Sequence, residues 1–157
     1  MESTFPSGGL TLRAHRAVPS SAGVGSNPPA VVLCHGFPGG VAGAKSAAVA
    51  YPELGDRIAA ELGWLVLVPT LRGAGGSEGH FSLAGWLDDI AAAVAHVRAT
   101  ALPSGIWLVG FGTGACACAP PPGTPPSRAW PPSALPPTST TGRRSRGAGS
   151  STPGRSG

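Results

Sequence analysis

The sequence predicts an α/β protein with a doubly wound, mainly parallel sheet, and three observations carry that prediction. Short apolar runs recur at residues 30–36 ("AVVLCHG"), 64–70 ("WLVLVPT") and 106–110 ("IWLVG"). They are short and rich in β-branched side chains, as strands covered on both faces are. Two segments of helical periodicity separate them, and strand–helix–strand alternation at this spacing favours right-handed crossovers onto a parallel sheet. Each run is also followed at once by a glycine-rich loop.

In chain order, residues 9–18 ("GLTLRAHRAV") alternate apolar and polar side chains and read as an early strand or hairpin, and "SSAGVGSNPP" follows as a polar loop. After the first apolar run, "YPELGDRIAAELG" reads as an amphipathic helix. Pro52 sits near its first turn, Leu54, Ile58 and Leu62 form its apolar stripe, and Gly63 stops it. After the second run, Ser82 is the expected N-cap of a helix with Leu83, Trp86, Ile90, Val94 and Val97 on one stripe. The expected organisation is a partial α/β domain over 1–118 and a disordered Pro/Arg/Ser-rich tail over 119–157.

Charge supports that division. Residues 1–118 hold six Arg or Lys against seven Asp or Glu, whereas 119–157 hold five Arg and no acid. The basic excess therefore belongs to the tail, and the first segment has no electrostatic case for binding nucleic acid. The opening "MESTFPSGGL" lacks the pattern of a secretory signal, and no apolar run approaches the roughly 18 residues that span a bilayer. A cytoplasmic protein without membrane partners is expected. Cys34, Cys116 and Cys118 make no disulfide framework, and no second ligand pair accompanies Cys116 and Cys118, so neither a metal nor a cofactor is expected.

The three loops carry the chemistry. They read "HGFPGG" from His35, "LRGAGGSEG" from Leu71 and "GFGTG" from Gly110, and in α/β sheets ligands collect at such strand ends. In this order and spacing, over about residues 30–115, they resemble the α/β-hydrolase fold in its branch of small esterases, lipases and serine peptidases. That resemblance implies a nucleophile on a strained turn flanked by glycines, and backbone N–H groups aimed at the developing oxyanion. Gly110 and Gly114 would be the elbow glycines and Gly112 the nucleophile's position. His35 and Gly36 would belong to the oxyanion loop, while the Phe37 and Thr113 N–H groups would form the hole. A small acyl or ester ligand is the implied partner.

The chain departs from that pattern at its centre. Gly112 has no side chain to acylate, and no Asp, Glu or His follows it; His15, His35, His80 and His96 all precede it. Thr70 stands where the family often has an acid. Triad hydrolysis is therefore not expected of this sequence, which leaves an inactive relative of ester and amide hydrolases, a small-molecule-binding protein on the same scaffold, or a Pro-rich interaction module. Two other glycine patterns fail on chemistry. "GFGTGA" matches a dinucleotide fingerprint but lacks the acid about 20 residues on, and "GGVAGAKS" has Ala44 where a phosphate-binding loop needs glycine. A plain tight turn remains the alternative for each loop.

The tail holds ten prolines, and the run at Pro120, Pro121 and Pro122 ends any helix begun by "ACACA". Such a segment could bind in polyproline II form. It also has an out-of-frame reading: codons permitted for residues 128–142, read two bases later, encode GVAALGAPADFDDW, with apolar and then acidic patterning. On that reading the frame slips between about residues 114 and 126, the chain is a truncated hydrolase-like core, and its last strand exposes an edge that promotes self-association.

Overall fold

The first strands owe their pairing to two glycines. Gly8 and Gly9 both take positive φ, 55° and 81°, which is the requirement of a two-residue hairpin turn whose twist matches its strands. The turn joins β1 (Glu2–Ser7) to β2 (Leu10–Ala17), antiparallel and closed by the pair Ser7–Leu10. The computed structural model describes residues 1–118 apart from 24, 38 and 39, and for residues 40–42, 44–46 and 48 the backbone alone. The expected tail at 119–157 and the polyproline reading lie outside the described residues.

Six further elements follow: β3 (Ala30–Cys34), α1 (Gly40–Leu62), β4 (Leu65–Pro69), α2 (Leu83–Ala101), β5 (Ile106–Gly110) and the short α3 (Thr113–Cys118). The sheet order is β1-β2-β4-β3-β5. β3 pairs in parallel with β4 on one side and β5 on the other, whereas β2 meets β4 antiparallel. The sheet is thus mixed, antiparallel on the side of β1 and β2 and parallel from β4 through β3 to β5.

From β3 the chain moves to one neighbour through α1, then crosses back over β3 through α2. Right-handed crossovers that run in opposite directions place their helices on opposite faces, and the core divides accordingly. Val31, Leu33, Val66 and Val68 point to the α1 face, with Ala59, Leu54 and Ile58. Ala30, Val32, Cys34, Leu65 and Leu67 point to the α2 face, with Trp86, Ile90, Ala93 and Val97. Runs that read as uniformly apolar are therefore ordinary two-sided strands.

Several expectations need correction. α1 begins twelve residues before Pro52, which lies inside it rather than near its first turn. The alanine-rich stretch before Pro52 has high helix propensity, and the helix tolerates one lost hydrogen bond there. The 39–46 stretch weighed as a phosphate loop is helical from Gly40. Leu62 and Leu83 are exposed, although their stripes placed them inward. Tyr51 and Ala59 cover the sheet on the first helix, and Gly85 and Asp89 are buried on the second. β5 is also not buried: Trp107, Leu108 and Val109 are each about two-fifths exposed, because among the described residues β5 pairs only with β3.

Other signals are met. Ser82 accepts a hydrogen bond from the Gly85 N–H at 3.0 Å as the N-cap of α2. Gly63 stops α1 at φ 68°, its N–H bonded to the Ala59 carbonyl.

Candidate functional site

β5 and β3 end side by side, and their loops leave toward opposite faces. That divergence marks the strand ends at which open α/β sheets bind ligands. On one side β5 continues through the Phe111 N–H, bonded to the Cys34 carbonyl at 3.1 Å, into a turn at Gly112 and then α3. The Gly114 N–H bonds to the Phe111 carbonyl and the Ala115 N–H to the Gly112 carbonyl, both at 3.0 Å, which closes the turn.

Glycines allow this approach of backbone to backbone. A Cβ on Gly110 would stand 2.5 Å from the Gly114 carbonyl, and one on Gly114 would overlap the His35 carbonyl oxygen and reach within 2.9 Å of the Cys34 oxygen. A Cβ on Gly36 would meet the Phe111 oxygen at 2.7 Å. Gly112 differs. It has φ 53°, the left-handed conformation of a strained elbow, yet a Cβ there would meet nothing closer than the Gly36 Cα at 3.8 Å. The turn therefore presents its apex residue to open space. The sequence-predicted residues His35, Gly36, Gly110, Gly112 and Gly114 are thus brought together, with Thr113 opening α3 and Phe37 on the facing loop.

His35 is a strap between loops. Its Nε2 accepts the Leu71 N–H at 3.2 Å, so its Nδ1–H donates to the Gly36 carbonyl at 2.8 Å. Burial pushes its pKa below the ordinary histidine value, against a smaller opposing effect of the Gly36 carbonyl. The ring is held neutral with both nitrogens engaged.

Aromatic side chains cluster about these loops, and of them the sequence marks only Phe37, by its N–H, and Trp86, on its helical stripe. Phe37 meets Phe81 at 4.8 Å between centroids, and Phe81 meets Trp86 edge-on at 5.0 Å. On the other side Tyr51 lies 5.4 Å from Phe111. Phe81 immediately precedes the N-cap and Trp86 is the fourth residue after it, which is the spacing of a hydrophobic staple. That signal was available in the sequence; the arrival of Tyr51 from α1 was not.

Below the aromatic wall, Asp89 fixes the loop that follows β4. Its carboxylate accepts the Arg72 guanidinium at 2.7 Å, the Arg72 backbone N–H at 2.9 Å and the Ser7 hydroxyl at 2.7 Å, while the Trp86 ring N–H donates to the Arg72 carbonyl at 3.1 Å. Burial would raise the Asp89 carboxyl, but the hydrogen bonds from Arg72 and Ser7 outweigh it and hold it below the usual range. Among the described residues no group of three or more acidic, histidine or cysteine side chains is placed to hold a metal.

A mixed sheet whose β4–β3–β5 side is parallel, helices on both faces and a glycine-flanked elbow after β5 are features of the α/β-hydrolase fold. No family profile matches the chain, and no curated protein does. Solved structures do. XC6422 from Xanthomonas campestris, described as an α/β serine hydrolase without a lid, is 28% identical with a TM-score of 0.57, over 74% of this chain and 52% of that one. Est1E from Butyrivibrio proteoclasticus, solved with ferulic acid, is 22% identical with a TM-score of 0.61, over 73% and 44%. Epoxide hydrolase A from Mycobacterium thermoresistibile is 24% identical with a TM-score of 0.50, over 74% and 33%. This chain thus carries an α/β-hydrolase core similar to those of serine hydrolases, and it spans about half or less of the length of these structures.

Proposed function

We propose that this chain is an ester-hydrolase-type scaffold whose crevice holds the carbonyl of a small acyl or ester ligand without hydrolysing it. The observation that carries the reading is Gly112: the elbow keeps its left-handed turn and open apex, and no nucleophile stands on it. The Phe37 and Thr113 N–H groups are the candidate oxyanion donors, and among the described residues neither is taken up by a backbone acceptor. The aromatic pairs Phe37–Phe81 and Tyr51–Phe111 supply apolar walls for the acyl group. Acyl transfer through a triad needs a nucleophile activated by an adjacent base. This sequence offers no Asp, Glu or His after Gly112, and the nearby His35 has both nitrogens occupied.

The test is turnover of p-nitrophenyl acetate by the full chain, with a heat-denatured sample as the background. No saturable hydrolysis is expected, and Gly112→Ser alone restores none, since a serine without a base is a weak nucleophile at neutral pH. Saturable hydrolysis by the unmodified chain overturns the reading.

A further inference from the structure

A second cavity lies between α1 and the sheet on the side of β2 and β4, and it borders the elbow site at His35. Its volume is about 210 Å³, and none of residues 110–114 lines it. Tyr51, Pro52 and Ala47 of α1 roof it, and Val68 of β4 forms its apolar floor. Pro52 cannot donate to the carbonyl four residues earlier, so α1 lacks one rung directly above the space.

The polar groups at its rim divide into satisfied and unsatisfied. The His15 Nε2 lies 2.8 Å from the Asp56 carboxylate and its Nδ1 lies 3.9 Å from Glu2, so these two acids face an imidazole already. Arg13, two residues along the same face of β2, forms no ion pair among the described residues, and its guanidinium takes no hydrogen bond there. The Thr70 hydroxyl, also lining the cavity, has no partner among the described residues and is not sealed from solvent. A planar cation with free donors beside a neutral hydroxyl, over an apolar floor and an aromatic roof, is suited to a carboxylate on a short apolar body. Size narrows the choice, because an apolar cavity of about 150 Å³ accommodates a benzene ring.

We infer that the cavity between α1 and the β2–β4 pair is a binding site for a small carboxylic acid of about benzoate size. Its carboxylate pairs with Arg13 and Thr70, and its ring packs between Tyr51 and Val68. The site shares His35 and Tyr51 with the elbow crevice, but its carboxylate partners Arg13 and Thr70 stand on β2 and after β4, so it does not depend on that crevice binding an acyl ligand.

The experiment is calorimetric titration of the full chain with sodium benzoate, with benzamide as the uncharged isostere. Saturable one-to-one binding of benzoate is expected, with benzamide weaker by about tenfold or more, the worth of a charge-assisted hydrogen bond. Arg13→Gln, a change at an exposed side chain, is expected to bring benzoate down to the benzamide level. Glu2→Gln, which removes a neighbouring acid, is expected to tighten benzoate binding. Absence of saturable benzoate binding, equal affinity for benzoate and benzamide, or unchanged benzoate binding in Arg13→Gln would each overturn the assignment. The comparison of the two ligands uses the unmodified chain, so it stands even if a variant does not fold.

Discussion

The Cα of Gly114 lies so close to the carbonyl oxygen of His35 that no Cβ fits between them. The contact locks the first turn of α3 onto the end of β3. Gly114→Ala is therefore expected to cost about 3 kcal/mol or more, because the obstruction is backbone and cannot swing aside. Gly112→Ser meets only open space and is expected to cost about 1–2 kcal/mol, from its left-handed backbone alone. Urea unfolding of the two variants checks the difference; equal costs would contradict the elbow geometry.

Acid is expected to destabilise the fold in two steps. His35 and His96 both have pKa values lowered by burial, so their folded forms resist protonation and stability declines once the pH falls below the unfolded histidine value of about 6.5. Asp89 also has a lowered folded pKa. Its contribution is complete above the unfolded carboxylate value of about 4 and is lost as the pH falls through its depressed folded value. Asp89→Asn should abolish the second step and lower stability at neutral pH by about 3 kcal/mol, since it leaves Arg72 without its partner. Thermal midpoints between pH 3 and 8 read both effects.

The cysteines should separate by reactivity. The neighbouring Cys118 and burial both raise the Cys34 thiol, whereas proximity to Cys34 lowers Cys118 against its own partial burial. Cys116 is exposed and Cys118 partly so. Iodoacetamide at neutral pH is expected to label Cys116 and Cys118 in the native chain, and Cys34 only after denaturation. Mass spectrometry of the labelled peptides decides it, and native labelling of Cys34 at a comparable rate would show that α3 does not stay packed.

The half-exposed Trp107, Leu108 and Val109 lie on a strand that pairs on one side alone among the described residues. Such an edge is a template for association. Sedimentation velocity is expected to show concentration-dependent oligomers, and Leu108→Lys should shift the distribution toward monomer. A monodisperse monomer for the unmodified chain would refute this.

The out-of-frame reading of residues 128–142 is checked at the coding DNA. The frame two bases later is expected to stay open and to continue with helix and strand periodicity to an acid and a histidine. An early stop codon there would leave the proline-rich segment as a selected one.

Much of this fold is legible in the chain because its signals are local. The apolar runs at β3 and β4, the Ser82 cap, the Gly63 stop and the glycine spacing of the elbow each depend on neighbours a few residues away, where propensity and backbone sterics act directly. The same locality makes the elbow, and the side chain absent at Gly112, legible in the sequence. What depends on distant partners was settled only by tertiary structure. Leu62 and Leu83 match their helical stripes yet are exposed, the one as the last residue of α1 and the other as the first of α2. β5 reads as a buried strand, but burial requires neighbours on both sides. Asp89 looks like one more polar residue of a helix until Arg72 and Ser7, from a loop and a strand far away in sequence, converge on it. The Arg13 and Tyr51 that border the second cavity lie 38 positions apart, on elements whose meeting no sequence period encodes. Periodicity tells a residue which face of its own element it occupies; only packing decides what that face meets.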